Sequence, residues 1–501
     1  CTAAYRDLTG VEESWDDIVL AAKHQVLSRE LASEVGALTR RLADICAGER
    51  RHRDHTRRDL HHAVREVLAG FDVYRTYVQP GRPVTSTDEA VVHRAVERAA
   101  RRRPDIDREL LDFLGDLLLL RRAGRAEREL AARFPQVAAP VMAKGVEDTA
   151  FYRYHRLVSL CEVGGDPGTF GRTVGEFHED MVRTAERWPA TMLALSTHDS
   201  KRSADVRARV HVLSGLAGPW REQVSRWFDR HDHHRGGVLD ANTVYLLYQT
   251  MLGAWPLELD RLLAFARKAT KEAKQHTSWT EPDAGYDDAV EHFCRSVHAD
   301  ATFRAELGGF MAEHRVVERG RAASLVQVAL ACTCPGVPDL YQGDEVWNLS
   351  LVDPDNRRPV DHDRLAALDA SIPDATGALS PPTGELDDPG AVKLALWRRL
   401  LAHRSQRPDV YDSTTYDPLA VEGAASSRTV AFTRGDLVVV AALDAGAEAP
   451  SDAASDAKVE LPAGSWLDVL RGECHDGGPH ARRNLLGRFP VAVLERDGAV
   501  G

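Results

Sequence analysis

The chain has 501 residues, 43% of them hydrophobic and 28% charged, with a formal net charge of −12. That is the balance of a folded globular protein with a large core. No apolar run approaches the ~20 residues of a membrane span, and the acidic total argues against a general nucleic-acid binder.

The sequence begins at Cys1, not Met, with no charged n-region ahead of an apolar stretch. It is expected to lack a signal peptide and to start inside a longer protein. Seven scattered cysteines without a CxxC pair signal neither a disulfide framework nor a zinc site. A reducing cytoplasm is the expected compartment. Cys332 and Cys334 read as two buried thiols on a strand.

Residues 1 to about 135 read as helices. Leu27, Leu31, Val35, Leu38, Leu42 and Ile45 recur at three- and four-residue steps, as do Leu60, Val64, Val67, Leu68 and Phe71. Pro104 opens a further helix carrying Leu110, Leu111, Leu114, Leu117 and Leu118. The basic run Arg50–Arg58 is interrupted by Asp54 and two histidines and reads as solvated surface.

From Val141 the texture changes. Val141-Met142-Ala143 runs into Lys144-Gly145-Val146-Glu147-Asp148-Thr149. Met192–Leu195 runs into Ser196-Thr197-His198-Asp199, and Val326–Ala331 leads to Pro335–Gly343. Strand, polar tip, helix is the repeat of a parallel α/β fold, whose functional residues sit at the strands' C-terminal ends. Residues 219–318 read as helical again. His231-Asp232-His233-His234 reads as a loop without fixed metal geometry. A helix covers Ala391 to His403. After Tyr411 short alternating segments predict a small antiparallel β domain, and residues 444–457 a loop rich in Ala, Asp and Ser.

His198-Asp199 at a strand end can grip two neighbouring sugar hydroxyls, and bonds to the 2-hydroxyl lower the barrier to glycosidic cleavage. The segments around it carry a resemblance. LSTHDSKRSADVRAR (Leu195–Arg209), VMAKGVEDTAFYRY (Val141–Tyr154), EVGGDPGTF (Glu162–Phe170), PGVPDLYQGDE (Pro335–Glu345) and LVDPDNRRPVD (Leu351–Asp361) resemble blocks of the maltooligosyltrehalose synthases, within the α-amylase superfamily. The Lys-Gly-Val-Glu-Asp-Thr block is the narrowest of these. Cys161, Ser200 and Ala204 stand where family members commonly have Asn, Thr and Glu.

The resemblance implies an α/β fold: about the last three strands of a (β/α)8 barrel, with large helical insertions and a C-terminal antiparallel domain. Residues 1–135 would be a helical insertion, 136–218 strands six and seven, and 219–318 a second helical insertion. Residues 319–405 would hold strand eight and the last helix, and 406–501 a β-sandwich. The implied activity is intramolecular transglucosylation, giving a maltooligosaccharide an α,α-1,1-linked trehalose end. Asp199 would be its third catalytic carboxylate. His198, Lys144, Glu147, Tyr152, Lys201 and Tyr341 would bind substrate, with no metal or organic cofactor. The nucleophile and the acid/base, which the family places in segments like Arg-x-Asp-His and Val-Glu-Lys-Ile, have no counterpart here, so the chain alone is expected to be inactive. Asp353, Asp355, Arg357 and Arg358 read as a salt-bridge network fixing a loop. The implied partners are the α-1,4-glucan substrate and a hydrolase that releases trehalose from the product, with no membrane and no nucleic acid. An α-glucan hydrolase of the same superfamily and a non-catalytic glucan-binding scaffold are the alternative readings.

Overall fold

The computed structural model describes residues 1–373, 378–412, 415–444 and 457–498. It divides into two compact units: one of residues 1–10, 156–267 and 285–501, the other of residues 11–155 and 268–284.

The second unit is helical, as the periodicity predicts. Its core gathers Leu38, Leu42, Val64, Val67, Leu110, Leu114, Leu130, Phe134 and Val141. Its helices start where capping chemistry allows. Thr56 and Asp59 form a reciprocal capping box ahead of Arg57–Gly70, satisfying two amides that the helix cannot pair internally.

Val141-Met142-Ala143 is not a strand. The helix Arg125–Met142 runs through it and continues as a π-helix over Ala143–Glu147. Val141 extends the helical stripe of Leu130, Phe134 and Val137, and Pro135 and Pro140 lie inside the helix, where proline would ordinarily end it.

The first unit holds the α/β part. Strands β1 (Met192–Ala194) and β2 (Val337–Asp339) pair in parallel, Met192 opposite Val337 and Ala194 opposite Asp339. Among the described residues these are the only two strands of the α/β part, against about three expected. The third apparent strand, Val326–Ala331, is part of the helix Val316–Thr333, and β2 starts only at Val337. A helix buried all round shows the same unbroken apolar run as a buried strand. Cys332 therefore lies in the last turn of that helix and Cys334 just past it. The four residues 231–234 lie in the helix Ala217–Arg235 rather than in a loop, and His231 is buried against the Tyr248 hydroxyl at 2.8 Å. The region 219–318 is helical as expected, but its residues 268–284 belong to the other unit.

The C-terminal strands are β3 (Asp417–Pro418), β4 (Val421–Gly423), β5 (Thr429–Arg434), β6 (Leu437–Ala442), β7 (Ala457–Asp468), β8 (Cys474–Ala481) and β9 (Val491–Arg496). They form one seven-stranded sheet in the order β3-β5-β6-β9-β7-β4, with β8 on β7. This is a single connected antiparallel network, where a two-sheet sandwich was expected. One face (Val430, Phe432, Val439, Val493) packs on Leu325, Ala329, Leu396 and Trp397 of the α/β helices. The other gathers Val438, Val440, Trp466 and Leu494. Burial on both faces explains the unbroken Leu437–Ala442 run. Of the expected loop 444–457, residues 445–456 lie outside the described residues.

Candidate active site

Because β1 and β2 are parallel, the polar segments that follow them leave the same end of the sheet. The first, Ser196–Ser203, carries His198 and Asp199. The second runs from Leu340 to Asn356. The two are stitched together. The Ser203 amide donates to the Ser350 carbonyl at 2.9 Å and its hydroxyl to the Asn348 carbonyl at 2.5 Å. Arg202 bridges to Leu351. Ser203 is also the N-cap of the helix Ala204–His211, so one residue ends the site loop and starts the next helix.

Glu162 holds the loop from below. Its carboxylate accepts the Lys201 amide at 2.9 and 3.0 Å and the Arg202 amide at 3.1 Å. Its partner Arg207, at 3.1 Å, also donates to the Arg202 carbonyl at 2.8 Å and to the Leu195 carbonyl. Both ends of the segment are thus tied to one ion pair, and charge-assisted bonds of this kind are stronger than neutral ones. Asn356, 8% exposed, caps the loop from the other side through its Nδ2, with the His198 carbonyl at 3.1 Å. Within the loop, Ser200 Oγ accepts the Thr197 amide at 2.8 Å, so serine does what the family's threonine hydroxyl could do.

His198 and Asp199 stand out of this frame. Their side chains are each 63% exposed, with Nε2 of the histidine 3.3 Å from the aspartate Oδ2. Arg357 Nη2 lies 3.7 Å from the other carboxylate oxygen. Lys201, by contrast, is buried at 6% exposure. Tyr341 is half-buried and donates to the Asn356 carbonyl at 3.1 Å, which links it to the same loop. His198, Asp199, Lys201 and Tyr341 are therefore brought together.

The network below is buried. Asp205 accepts the Asn348 amide at 2.7 Å, Lys393 Nζ at 2.9 Å and the Ser324 hydroxyl. Asp344 accepts from Asn348 Nδ2 at 2.6 Å, and burial pushes its carboxyl above the usual carboxylate range. Asp355 is gripped through both oxygens by Arg261 at 2.8 Å. Burial opposes its charge, but that guanidinium and the Leu351 amide hold it below the ordinary value. The expected network thus exists in part: Arg358 joins Asp355 at 3.1 Å, while Arg357 turns to Asp199. Cys161 is buried, and burial pushes its thiol up to about 12.

Lys144, Glu147 and Tyr152 belong to the second unit. Lys144 is exposed and pairs with Asp148 at 3.1 Å, which raises its pKa. Glu147 accepts the Tyr74 hydroxyl. Tyr152 is 3% exposed. Gly145 lets the π-helix approach Trp15–Ser28: a Cβ there would lie 2.8 Å from Lys23 Cγ.

The reading of the residues missed Glu162, Asn356, Arg207 and Asp205 as organisers of the site. Glu162 opens a quoted motif and Asn356 lies in another, but their bonds cross 39 and 158 residues, and no local spacing announces that.

No protein-family model matches the chain. A curated Mycobacterium tuberculosis (strain H37Rv) protein named as a maltooligosyl trehalose synthase is 38% identical over 379 residues, 74% of this chain and 46% of that protein. The solved maltooligosyltrehalose synthase from Arthrobacter ramosus superposes with a TM-score of 0.82 at 31% identity, covering 99% of this chain and 60% of that one. A solved structure described as DSM5389 glycosyltrehalose synthase gives 0.75 at 28% identity, covering 99% and 57%. The chain thus spans about half the length of the curated relatives it matches. On sequence and fold together, it belongs to the maltooligosyltrehalose synthase family.

Proposed function

We propose that this chain carries the third catalytic carboxylate and part of the substrate pocket of a maltooligosyltrehalose synthase. The reaction cleaves the α-1,4 bond to the reducing-end glucose and rejoins that glucose through its anomeric hydroxyl. The new α,α-1,1 linkage leaves a trehalose end, with no net consumption of water. Retention at the transferred carbon calls for a nucleophilic carboxylate and a separate acid/base. Neither has a counterpart in this sequence. Asp199 with His198 would hold neighbouring hydroxyls of the ring whose bond breaks, through contacts that tighten as the ring flattens. Lys201 and Tyr341 in the first unit, and Lys144, Glu147 and Tyr152 in the second, are the proposed substrate-binding residues by motif position; water must be kept from the released glucose, since it would turn transfer into hydrolysis. A trehalose-releasing hydrolase would act on the product.

The observation that carries this reading is the contrast within one loop. The Asp199 side chain is 63% exposed, while the backbone beneath it is fixed by Glu162 and Asn356. An exposed carboxylate gains little stability from such a frame, whereas a substrate contact needs it.

The test joins this chain to the part of the Arthrobacter ramosus synthase that the match does not cover. With maltopentaose, reducing ends should disappear without release of glucose. Asp199→Asn should lower that rate roughly 10²–10³-fold, as for loss of a transition-state contact. The 501-residue chain alone should leave reducing ends unchanged. Release of glucose would favour the hydrolase reading, binding without turnover the scaffold reading, and full activity in Asp199→Asn would remove Asp199 from the mechanism.

A further inference from the structure

The helix Leu259–Ala273 lies outside every motif that carried the resemblance, yet it reaches the site. Arg261, in its first turn, grips the Asp355 carboxylate with two prongs. Nε donates to Oδ1 and Nη2 to Oδ2, each at 2.8 Å, across 94 residues of sequence. The same Nη2 donates to the Leu349 carbonyl at 2.6 Å, and Nη1 to Glu258 at 3.1 Å. All three guanidinium nitrogens therefore have partners, and the fork cannot turn without losing one. The Arg261 and Asp355 side chains are 15% and 13% exposed. A pair this buried adds little net stability over apolar packing. Its two parallel bonds do fix direction, which a lysine in the same place could not.

What Asp355 holds in turn is the backbone of the second site segment. Its Oδ2 also accepts the Leu351 amide at 2.7 Å, and Leu351 is bridged to Arg202 of the first segment. Asp355 opens the short turn Asp355–Arg357. The next residue, Asn356, clasps the His198 carbonyl. The one after, Arg357, lies 3.4 Å from that same carbonyl and 3.7 Å from the Asp199 carboxylate. Arg358 also meets Asp355, at 3.1 Å, but it follows directly on this turn and cannot fix it against the rest of the fold. Arg261 comes from a distant helix and can.

We infer that Arg261 is a positioning residue for the transfer reaction: it fixes the Leu349–Asp355 segment, through which Asn356 and Arg357 set the placement of His198 and Asp199. It acts through Asp355 and not on the substrate. The inference rests on the assignment of Asp199 to the mechanism, and it gives the helix Leu259–Ala273 a part in the chemistry.

Two measurements test it. In the 501-residue chain, Arg261→Met should quicken amide exchange roughly tenfold at residues 197–200 and 351–357 and leave the C-terminal sheet at its wild-type rates. In the joined protein described above, Arg261→Met should lower the transfer rate roughly tenfold to a hundredfold, the scale of a small misplacement near the reacting atoms. Introduced into Asp199→Asn, the same change should cost less than about twofold, because both residues lie on one path. A purely stabilising arginine would lower both backgrounds by the same factor. Arg261→Lys keeps the charge without the fork and should give the same pattern with smaller effects; it carries both measurements if Arg261→Met does not fold. Equal factors in the two backgrounds, a wild-type transfer rate in the variants, or unchanged exchange at both segments would each overturn the proposal. If the joined wild-type protein transfers no glucose, the transfer reading falls, and exchange alone decides whether Arg261 holds the loop.

Discussion

The side-chain amide of Asn356 donates to the carbonyl of His198 at 3.1 Å across 158 residues of sequence. The same nitrogen lies 3.4 Å from the Thr197 carbonyl and 3.5 Å from that of Ser200. One buried amide therefore closes the turn that presents His198 and Asp199, and it comes from the segment after the neighbouring strand. The shape of the site loop depends on β1 and β2 being side by side.

Asn356→Ala should therefore loosen this loop before anything else. It removes the donor that three carbonyls of the loop share, a loss of about 0.5–1.5 kcal/mol. The midpoint of denaturant unfolding should fall with an unchanged slope, and amide exchange should quicken at residues 197–200. An unaltered midpoint with unaltered exchange would show that Glu162 and Arg207 hold the loop unaided.

How far the sequence could be read depended on how local each signal was. The helical stripes around Leu38, Val64 and Leu114 lie within single elements, and all three residues are buried as expected. The polar tip at Ser196–Asp199 follows a real strand. The misread segments, Val141–Ala143 and Val326–Ala331, are short apolar runs inside helices, where period and length do not separate helix from strand. The motif blocks contain Glu162, Asn356 and Asp205 as well as His198 and Asp199, but the resemblance gave a role only to the latter pair. Those three act through pairings that only the folded chain creates, and nothing in their immediate neighbours sets them apart from other polar residues.

Asp205 and Lys393 illustrate such a pairing and give a second prediction. They lie 2.9 Å apart, with side chains 5% and 2% exposed. Lys393→Met leaves the Asp205 carboxylate buried without its counter-charge and should destabilise the first unit by about 3–5 kcal/mol. Adding Asp205→Asn removes the stranded charge and should recover part of that loss. The double-mutant cycle measures the coupling. Additive effects of the two changes would mean that Asn348 and Ser324, not Lys393, satisfy Asp205.

The last prediction concerns Lys23 in the second unit. Its side chain is buried, and Nζ donates to the Phe71 carbonyl at 2.6 Å. Burial first, then the Arg98 charge, lowers its pKa to about 8, with Asp72 pulling the other way. The ordinary lysine value is near 10.4, so between about 8 and that value the unfolded chain binds more protons than the folded one. Stability supplied by this residue must therefore rise with pH through that window and be lowest below it. The total change is about 3 kcal/mol by the usual conversion of pKa into free energy. Lys23→Met carries no such titration. The stability difference, variant minus wild type, should thus be largest near pH 7 and shrink as the pH approaches 10.5. Cysteines and tyrosines that titrate in the same range are common to both proteins and cancel in the comparison. Denaturant unfolding of the two at several pH values measures the difference, and a flat profile would mean that Lys23 keeps an ordinary pKa in the folded chain.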